Sequence, residues 1–505
     1  MRDCDTDVII VGAGPTGLML AGELRLQGIE VVVLERLTEP MRQSRALGFS
    51  ARTMEELGQR GLLERFGDIG VIPVGHFGGM PLDYTIVPGG NFGVRGVPQA
   101  FTEAVLNEWA TGLGAEIRRG WELTALTADE EGVEVRADTP DGPRTLRAGH
   151  VVGCDGARSA VRTLSGIDFP GYEPTIEMLM ADVSGVQVRI RPSGERSDAG
   201  MAVVLPAGPG VTRVVVFERD AGVRPTDEPP SFAEVAAAFR RVTGEDISGG
   251  TPLWLSSFTD ASRQAARYRK GRVFLAGDAA HIHMPIGAQG ISAGLGDAVN
   301  LGWKLAAEIR GHAPAGLLDT YHTERHPVGA RILANTLAQR ALYLGGPEMD
   351  PLRSVFAELM AYEDVQRLLV GMVTGLDIAY DAGPGDHPLL GRRLPDFELA
   401  CDAGARTAFE LLHGGRAFVL DLRGDADLRA AAEPWRDRVD LVTATTHPGG
   451  PLADADAVLV RPDGYIAWIG SGGSEAAGLT DALARWFGEP GDTRSRPAPA
   501  VAASA

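Results

Sequence analysis

Val11-Gly12-Ala13-Gly14-Pro15-Thr16-Gly17 and Gly277-Asp278-Ala279-Ala280-His281 are two stretches whose residue types and spacing could do chemistry. In the first, Gly12 permits a tight turn, Gly14 lets the backbone approach a pyrophosphate, and Gly17 lets a helix pack close to a strand. A phosphate would then sit at a helix N-terminus, where free N–H groups and the dipole favour anions. Glu35 follows at about the 20-residue spacing of an acid that binds a ribose hydroxyl. These residues alone leave NAD and FAD open, and the second stretch decides. Asp278, at a strand end, suits a second ribose or a ribityl chain. Gly287-Ala288-Gln289-Gly290-Ile291-Ser292 opens a helix whose N-terminus suits the flavin N1–C2=O edge, anionic on reduction. Two anchoring turns so far apart imply one extended ligand, and FAD fits.

The elements that position these turns follow from periodicity. A short apolar run to Val11, helical spacing over Thr16 to Gln27 and the β-branched run Val31 to Leu34 form a βαβ unit. Alternating strands occupy Gly120 to Asp155, including a buried Val151-Val152. Strands Gly200–Leu205 and Thr212–Glu218 and a helix over Phe232–Val242 fall within Met178 to Phe258. Gly271 to Gly277 reads as a buried strand, and Ile291 to Arg310 as a helix. A Pro/Gly-rich stretch, Ala382 to Asp396, marks a boundary before short strands at Ala417–Leu422, Val439–Thr443 and Ala457–Val460.

In order and spacing, Gly12 to Gly17 with Glu35-Arg36, then Cys154-Asp155-Gly156-Ala157-Arg158-Ser159-Ala160-Val161-Arg162, Gly277-Asp278, and Asp297-Ala298-Val299-Asn300-Leu301-Gly302-Trp303-Lys304-Leu305 resemble the class A, p-hydroxybenzoate hydroxylase-like flavin monooxygenases. Ser44 to Glu55 and Gly75-His76-Phe77-Gly78-Gly79 look most like the angucycline and anthracycline hydroxylases of that family. Val458 to Trp468 looks like the thioredoxin-like domain of its phenol and polyketide hydroxylase branches. The resemblance covers about residues 6 to 490.

It implies an α/β fold: a Rossmann-type FAD-binding domain (1–175 and 266–385), an inserted mixed-sheet substrate domain (176–265, with part of 72–100), a thioredoxin-like domain (395–490) and a disordered tail (491–505). It implies that Glu35 and Arg36 hold the adenosine, with Leu123 meeting adenine through its backbone. Arg45 and Gln99 would contact the pyrophosphate and ribityl region. Asp155 would support FAD and a passing NADPH or NADH, Asp278 a flavin-chain hydroxyl, and Gly290, Ile291 and Ser292 the flavin edge. Pro285 would border the pocket. Relatives usually carry Asn where Ser292 stands, so Ser292 is expected to serve as a helix cap with shorter reach. The activity implied is hydroxylation of a polycyclic aromatic polyketide with NAD(P)H and O₂ through a flavin C4a-hydroperoxide. Baeyer–Villiger or epoxidising chemistry on the same substrates is the alternative, and a non-catalytic binding protein of this fold a second.

His76 is a candidate acid/base beside the substrate. His281 and His283 lack a third ligand with suitable spacing and read as packing, so no metal site is expected. Met178-Leu179-Met180 reads as core or pocket wall. Cys4, Cys154 and Cys401 lie far apart without CxxC spacing, which disfavours a disulfide framework or structural zinc site and leaves the C-terminal domain without an expected redox role. A net charge of −19 disfavours nucleic acid partners. No apolar run of membrane length and no secretory signal are evident, which points to a cytoplasmic protein. A homodimer is the assembly to test.

Overall fold

The β-branched runs at the N-terminus form the centre of a parallel sheet. The computed structural model describes residues 4–87, 93–225, 228–401, 404–447, 449–471 and 476–491; the tail expected at 491–505 lies almost entirely outside them. β1 (Thr6–Val11), α1 (Pro15–Leu26) and β2 (Val31–Glu35) make the expected βαβ unit. In the parallel core of this eight-stranded sheet the order is Glu116–Arg119, β2, β1, Arg144–Gly153, Val273–Leu275, with antiparallel strands attached at Arg144–Gly153 and at the Val273–Leu275 edge. This is the Rossmann order, and it reverses between β1 and Arg144–Gly153, where the crevice outside the strand ends accepts a ligand. Strands buried on both faces explain the unbroken apolar runs: Val8, Ile9, Ile10, Val151 and Val152 are fully buried.

The inserted sheet runs Arg191–Ser197, Gly200–Gly208, Val211–Glu218, Glu177–Ser184, Thr251–Thr259. All its pairings are antiparallel, so the expected mixed sheet is corrected to an antiparallel one. Alternation divides its faces. Ala181 and Val183 pack with the helix Phe232–Thr243, which a Ser231/Glu234 capping box starts, while Met178 and Met180 point the other way.

The helix expected from Ile291 begins at Gln289 and runs to Arg310. Periodicity does not reveal several helices, among them α2 (Ala51–Gly58), Gln99–Gly112, Asp350–Leu359, Glu363–Thr374 and Thr320–Leu344, the last containing Pro327. A proline inside a helical pattern reads as a break. Here the helix continues because tertiary packing carries it.

The C-terminal six-stranded sheet places Ala417–Asp421 parallel to Val439–Thr445 and antiparallel to Ala457–Val460. The Pro/Gly-rich stretch before it is not a free linker: Leu394 is fully buried, and the N–H groups of Gly391 and Leu394 donate to Ile466 and Gly464 carbonyls. Among the described residues no helix is long and apolar enough to cross a membrane.

Candidate cofactor and substrate site

Three loops converge where the sheet order reverses. Gly12 has φ +105°, and a Cβ there would lie 2.3 Å from the Cys154 carbonyl oxygen, so the first glycine loop lies directly against the Asp155 loop. A Cβ on Gly17 would lie 2.0 Å from the Gly12 carbonyl, which fixes α1 against the turn. Thr16 is wedged between the other two motifs: its Oγ1 lies 2.6 Å from a Cβ built on Gly277 and 2.2 Å from one built on Gly294. Glycine at these positions is a packing requirement. Gly14 differs, because a Cβ there meets nothing within 4 Å. The loop is closed everywhere except at the position that should face a diphosphate.

The acidic residues around this crevice have distinct states. Glu35 accepts from the Ala13 N–H at 2.8 Å and the Leu37 N–H at 2.9 Å. A carboxylate has about four acceptor sites, so capacity remains for a ribose hydroxyl. Asp155 accepts the Val161 N–H through Oδ2 at 3.1 Å, but its Oδ1 is buried without a hydrogen-bond partner. Burial pushes this carboxyl above its usual range. A buried carboxylate oxygen with capacity to spare, on a loop packed against Gly12, fits a ligand that brings a hydroxyl donor. Asp278 is exposed at the crevice. These observations fit FAD.

Among the remaining expected residues, Arg36 and Arg45 are exposed and Leu123 is buried in Glu122–Ala128. Gln99 opens its helix, accepting from Ala46 N–H at 3.4 Å and donating to Glu103 at 2.7 Å. Pro285 is exposed beside buried Met284 and Ile286, which pack with Met178, Met180, Met201, Phe217 and Tyr343. The methionine-bearing face of the inserted sheet therefore meets the loop that leads into the Gln289–Arg310 helix. That helix opens with Gly287 and Ala288 both left-handed, at φ +74° and +55°. For alanine this costs about 1–2 kcal/mol, a local strain of the kind stored at functional sites.

Ser292 is a correction. The N-cap is Ala288, so Ser292 lies inside the first turn and does not cap the helix. Its Oγ lies 2.7 Å from both Ser50 Oγ and Thr53 Oγ1, so the side chain ties this helix to α2 and turns away from the crevice. Backbone N–H groups at Gln289, Gly290 and Ile291 are the ones a helix start leaves free.

His281 is held by chemistry that sequence reasoning missed. Asp297, fully buried, accepts from His281 Nε2 and Arg325 Nε, each at 2.7 Å, and from the Gly277 N–H at 3.0 Å. Asp297 fixes the second glycine turn; its membership in the 297–305 motif was visible, its partners were not. His283 Nδ1 donates to the Met284 carbonyl at 2.9 Å. Among the described residues no cluster of three metal-ligating side chains occurs. His76 sits on a hairpin, Val74–Phe77 and Met80–Asp83, whose two-residue turn, Gly78-Gly79, has positive φ at both positions. Its Nδ1 accepts the Gly79 N–H at 3.2 Å, and its ring stacks on Tyr343. Burial lowers its pKa and keeps it neutral, so Nε2 carries the proton and is a donor.

A cavity of about 620 Å³ is lined by α2, the Thr320–Leu344 helix, residues 372–381, Trp486 and, from the start of the Gln289–Arg310 helix, Gln289, Ser292 and Ala293. No residue of the 12–17 loop or of the methionine-bearing face lines it, so it lies behind the 287–292 turn, on the side facing α2 and Trp486.

Comparison with known proteins places this geometry. Residues 5–336 match the FAD binding domain family, and residues 387–490 the aromatic-ring hydroxylase C-terminal family. The chain is 44% identical to a 12-dehydrotetracycline 5-monooxygenase/anhydrotetracycline 6-monooxygenase of Streptomyces rimosus subsp. rimosus, over 96% of this chain and 99% of that one. It is 46% identical to a rifampicin monooxygenase of Streptomyces venezuelae, over 95% and 98%. The crystal structure of CabE, an aromatic hydroxylase from angucycline biosynthesis, superposes with a TM-score of 0.92 at 54% identity, covering 96% of this chain and all of that one.

Proposed function

The chain belongs to the FAD-dependent aromatic-ring hydroxylases, and on that premise we propose that it oxygenates a polycyclic aromatic polyketide with NAD(P)H and O₂ as co-substrates. The observation that carries the substrate class is the contact between the 284–286 loop and the apolar wall of Met178, Met180, Met201 and Phe217. Large, polarisable, adaptable side chains suit a flat fused-ring system better than a small polar one.

Bound FAD supplies the electron transfer and oxygen activation, so no protein nucleophile is required. The residues of the chain bind and orient. Gly12 and Gly14 admit the diphosphate to the start of α1, and Glu35 and Arg36 hold the adenosine end beside Leu123. Arg45, Gln99, Asp155 and Asp278 serve the central chain, and the free N–H groups of Gln289, Gly290 and Ile291 favour an anionic ring edge. Pro285 borders the substrate, and His76 donates its Nε2 proton to a substrate oxygen. The reading divides the chain at 1–175 and 266–385, 176–265 and 395–490. For the last segment, a thioredoxin-like unit is supported by parallel Ala417–Asp421 and Val439–Thr445 joined by the helix Ala426–Ala432 and followed by an antiparallel hairpin. A cytoplasmic location is part of the same reading, since NAD(P)H is supplied there.

Incubation of the purified protein with FAD, NADPH, ¹⁸O₂ and anhydrotetracycline or an angular tetracyclic phenol tests the proposal. One ¹⁸O atom in the product is expected. Its position on an intact ring marks hydroxylation, and within an enlarged ring Baeyer–Villiger insertion. Protein that takes up no FAD, or oxidises NADPH with no oxygenated product from any tetracyclic phenol, overturns it.

A further inference from the structure

Three buried side-chain amides form an unbroken chain between the two sides of the site. Gln289 Nε2 donates to the Ile286 carbonyl at 3.2 Å, and Asn335 Nδ2 donates to Gln289 Oε1 at 2.9 Å. Gln339 Nε2 donates to Asn335 Oδ1 at 2.9 Å, and the Gly78 N–H donates to Gln339 Oε1 at 3.2 Å. Gln289, Asn335 and Gln339 are all buried. One end of the chain is the strained turn at the start of the Gln289–Arg310 helix. The other is the Gly78-Gly79 turn of the hairpin that carries His76.

Burying a primary amide costs free energy unless its bonds are made, and an aliphatic side chain would fill the same space without that requirement. The chain also has a fixed polarity. Its ends are backbone groups that cannot exchange roles, a carbonyl at Ile286 and an N–H at Gly78. Flipping Asn335 would set its oxygen against Gln289 Oε1 and its amino group against Gln339 Nε2. Asn335 and Gln339 lie one helical turn apart on one face of Thr320–Leu344. Tyr343, one turn further on, stacks on His76, and Arg353 Nη1 donates to the Gly78 carbonyl at 2.9 Å. The hairpin is thus fastened to the same helix that fastens the turn at 286–289.

We propose that Asn335 and Gln339 are positioning residues that set where the His76 hairpin stands relative to the cofactor turn, so that loading of FAD at the turn is felt at the hairpin. The proposal rests on the FAD reading above.

Hydrogen exchange of the 74–83 segment, with and without FAD, in the parent and in Asn335→Leu and Gln339→Leu, tests it. In the parent, FAD should slow exchange at Gly78 and Gly79 about tenfold or more. Each variant should bind FAD within about threefold of the parent yet lose that slowing, because only the connection is cut. Should Asn335→Leu fail to fold, Asn335→Asp keeps the acceptor toward Gln339, opposes Gln289 Oε1 and should give the same loss. Slowing that persists in the variants overturns the proposal. A parent that binds FAD with an indifferent hairpin overturns it too, leaving the FAD reading intact, whereas a parent that binds no FAD removes both.

Discussion

The cofactor crevice and the seam to the C-terminal domain solve opposite problems with opposite materials. The crevice is made of backbone: glycines packed so closely that Cβ atoms would clash at Gly12, Gly17 and Gly277, with open space in front of Gly14. The seam is made of buried charge. Arg461, 1% exposed, donates to Glu324 Oε1 at 2.6 Å and Oε2 at 2.8 Å and to Asp463 at 3.0 Å. Lys304 Nζ donates to Glu324 at 2.7 Å and to Asn300 at 2.8 Å. Two cations balance two carboxylates, and the Arg461 guanidinium lies over Trp486, 4.4 Å from its ring centroid. Burial still lowers the Lys304 pKa to about 8. Where a ligand must enter, side chains are withheld. Where two parts of one chain must stay together, charged side chains bond to one another, and removing one strands the others.

Arg461→Met is the most damaging way to break the contrast. It leaves two buried carboxylates facing one lysine and should cost about 3–5 kcal/mol. A lower chemical denaturation midpoint would register the loss, and a change within about 1 kcal/mol would mean that water relieves the seam. Gly14→Val should do the reverse, leaving a folded protein that has lost FAD affinity at least ~100-fold, about 2.7 kcal/mol. Flavin absorbance after gel filtration would report it, and unchanged occupancy would mean that Gly14 does not face the diphosphate.

A third test sharpens the seam. Burial raises the Glu56 pKa to about 7, against the opposing pull of Arg52 and Arg325. Its unfolded value is 4.5, so the folded state holds the proton more tightly. Glu56 therefore makes stability fall as pH rises from about 4.5 through about 7, with the full penalty above that. Glu56→Gln should flatten this fall and gain about 1–3 kcal/mol at pH 8. Parallel stability–pH curves for parent and variant would contradict it. The smallest effect is expected at Ser292→Ala, which removes the bonds to Ser50 and Thr53 at a cost of about 1 kcal/mol without altering FAD affinity. A large change in FAD titration would return Ser292 to the crevice.

What the sequence determined by itself is local. The turn at 12–17, the acid at Glu35, the second turn at 277–281 and the helix behind it were legible because φ > 0, close backbone approach and helix starts each demand particular residues within a few positions. The same locality set the βαβ unit and the helix at 232–243. Tertiary structure alone decided the rest. Ser292 could be read as a cap until α2 stood 2.7 Å from its hydroxyl. The helix Thr320–Leu344 hides behind Pro327 and carries Asn335 and Gln339, whose partners are Gln289 and Gly78. Arg461 meets Glu324 across 137 positions. Nothing in local spacing encodes such pairings, because a buried polar side chain is defined by the partner the fold brings to it.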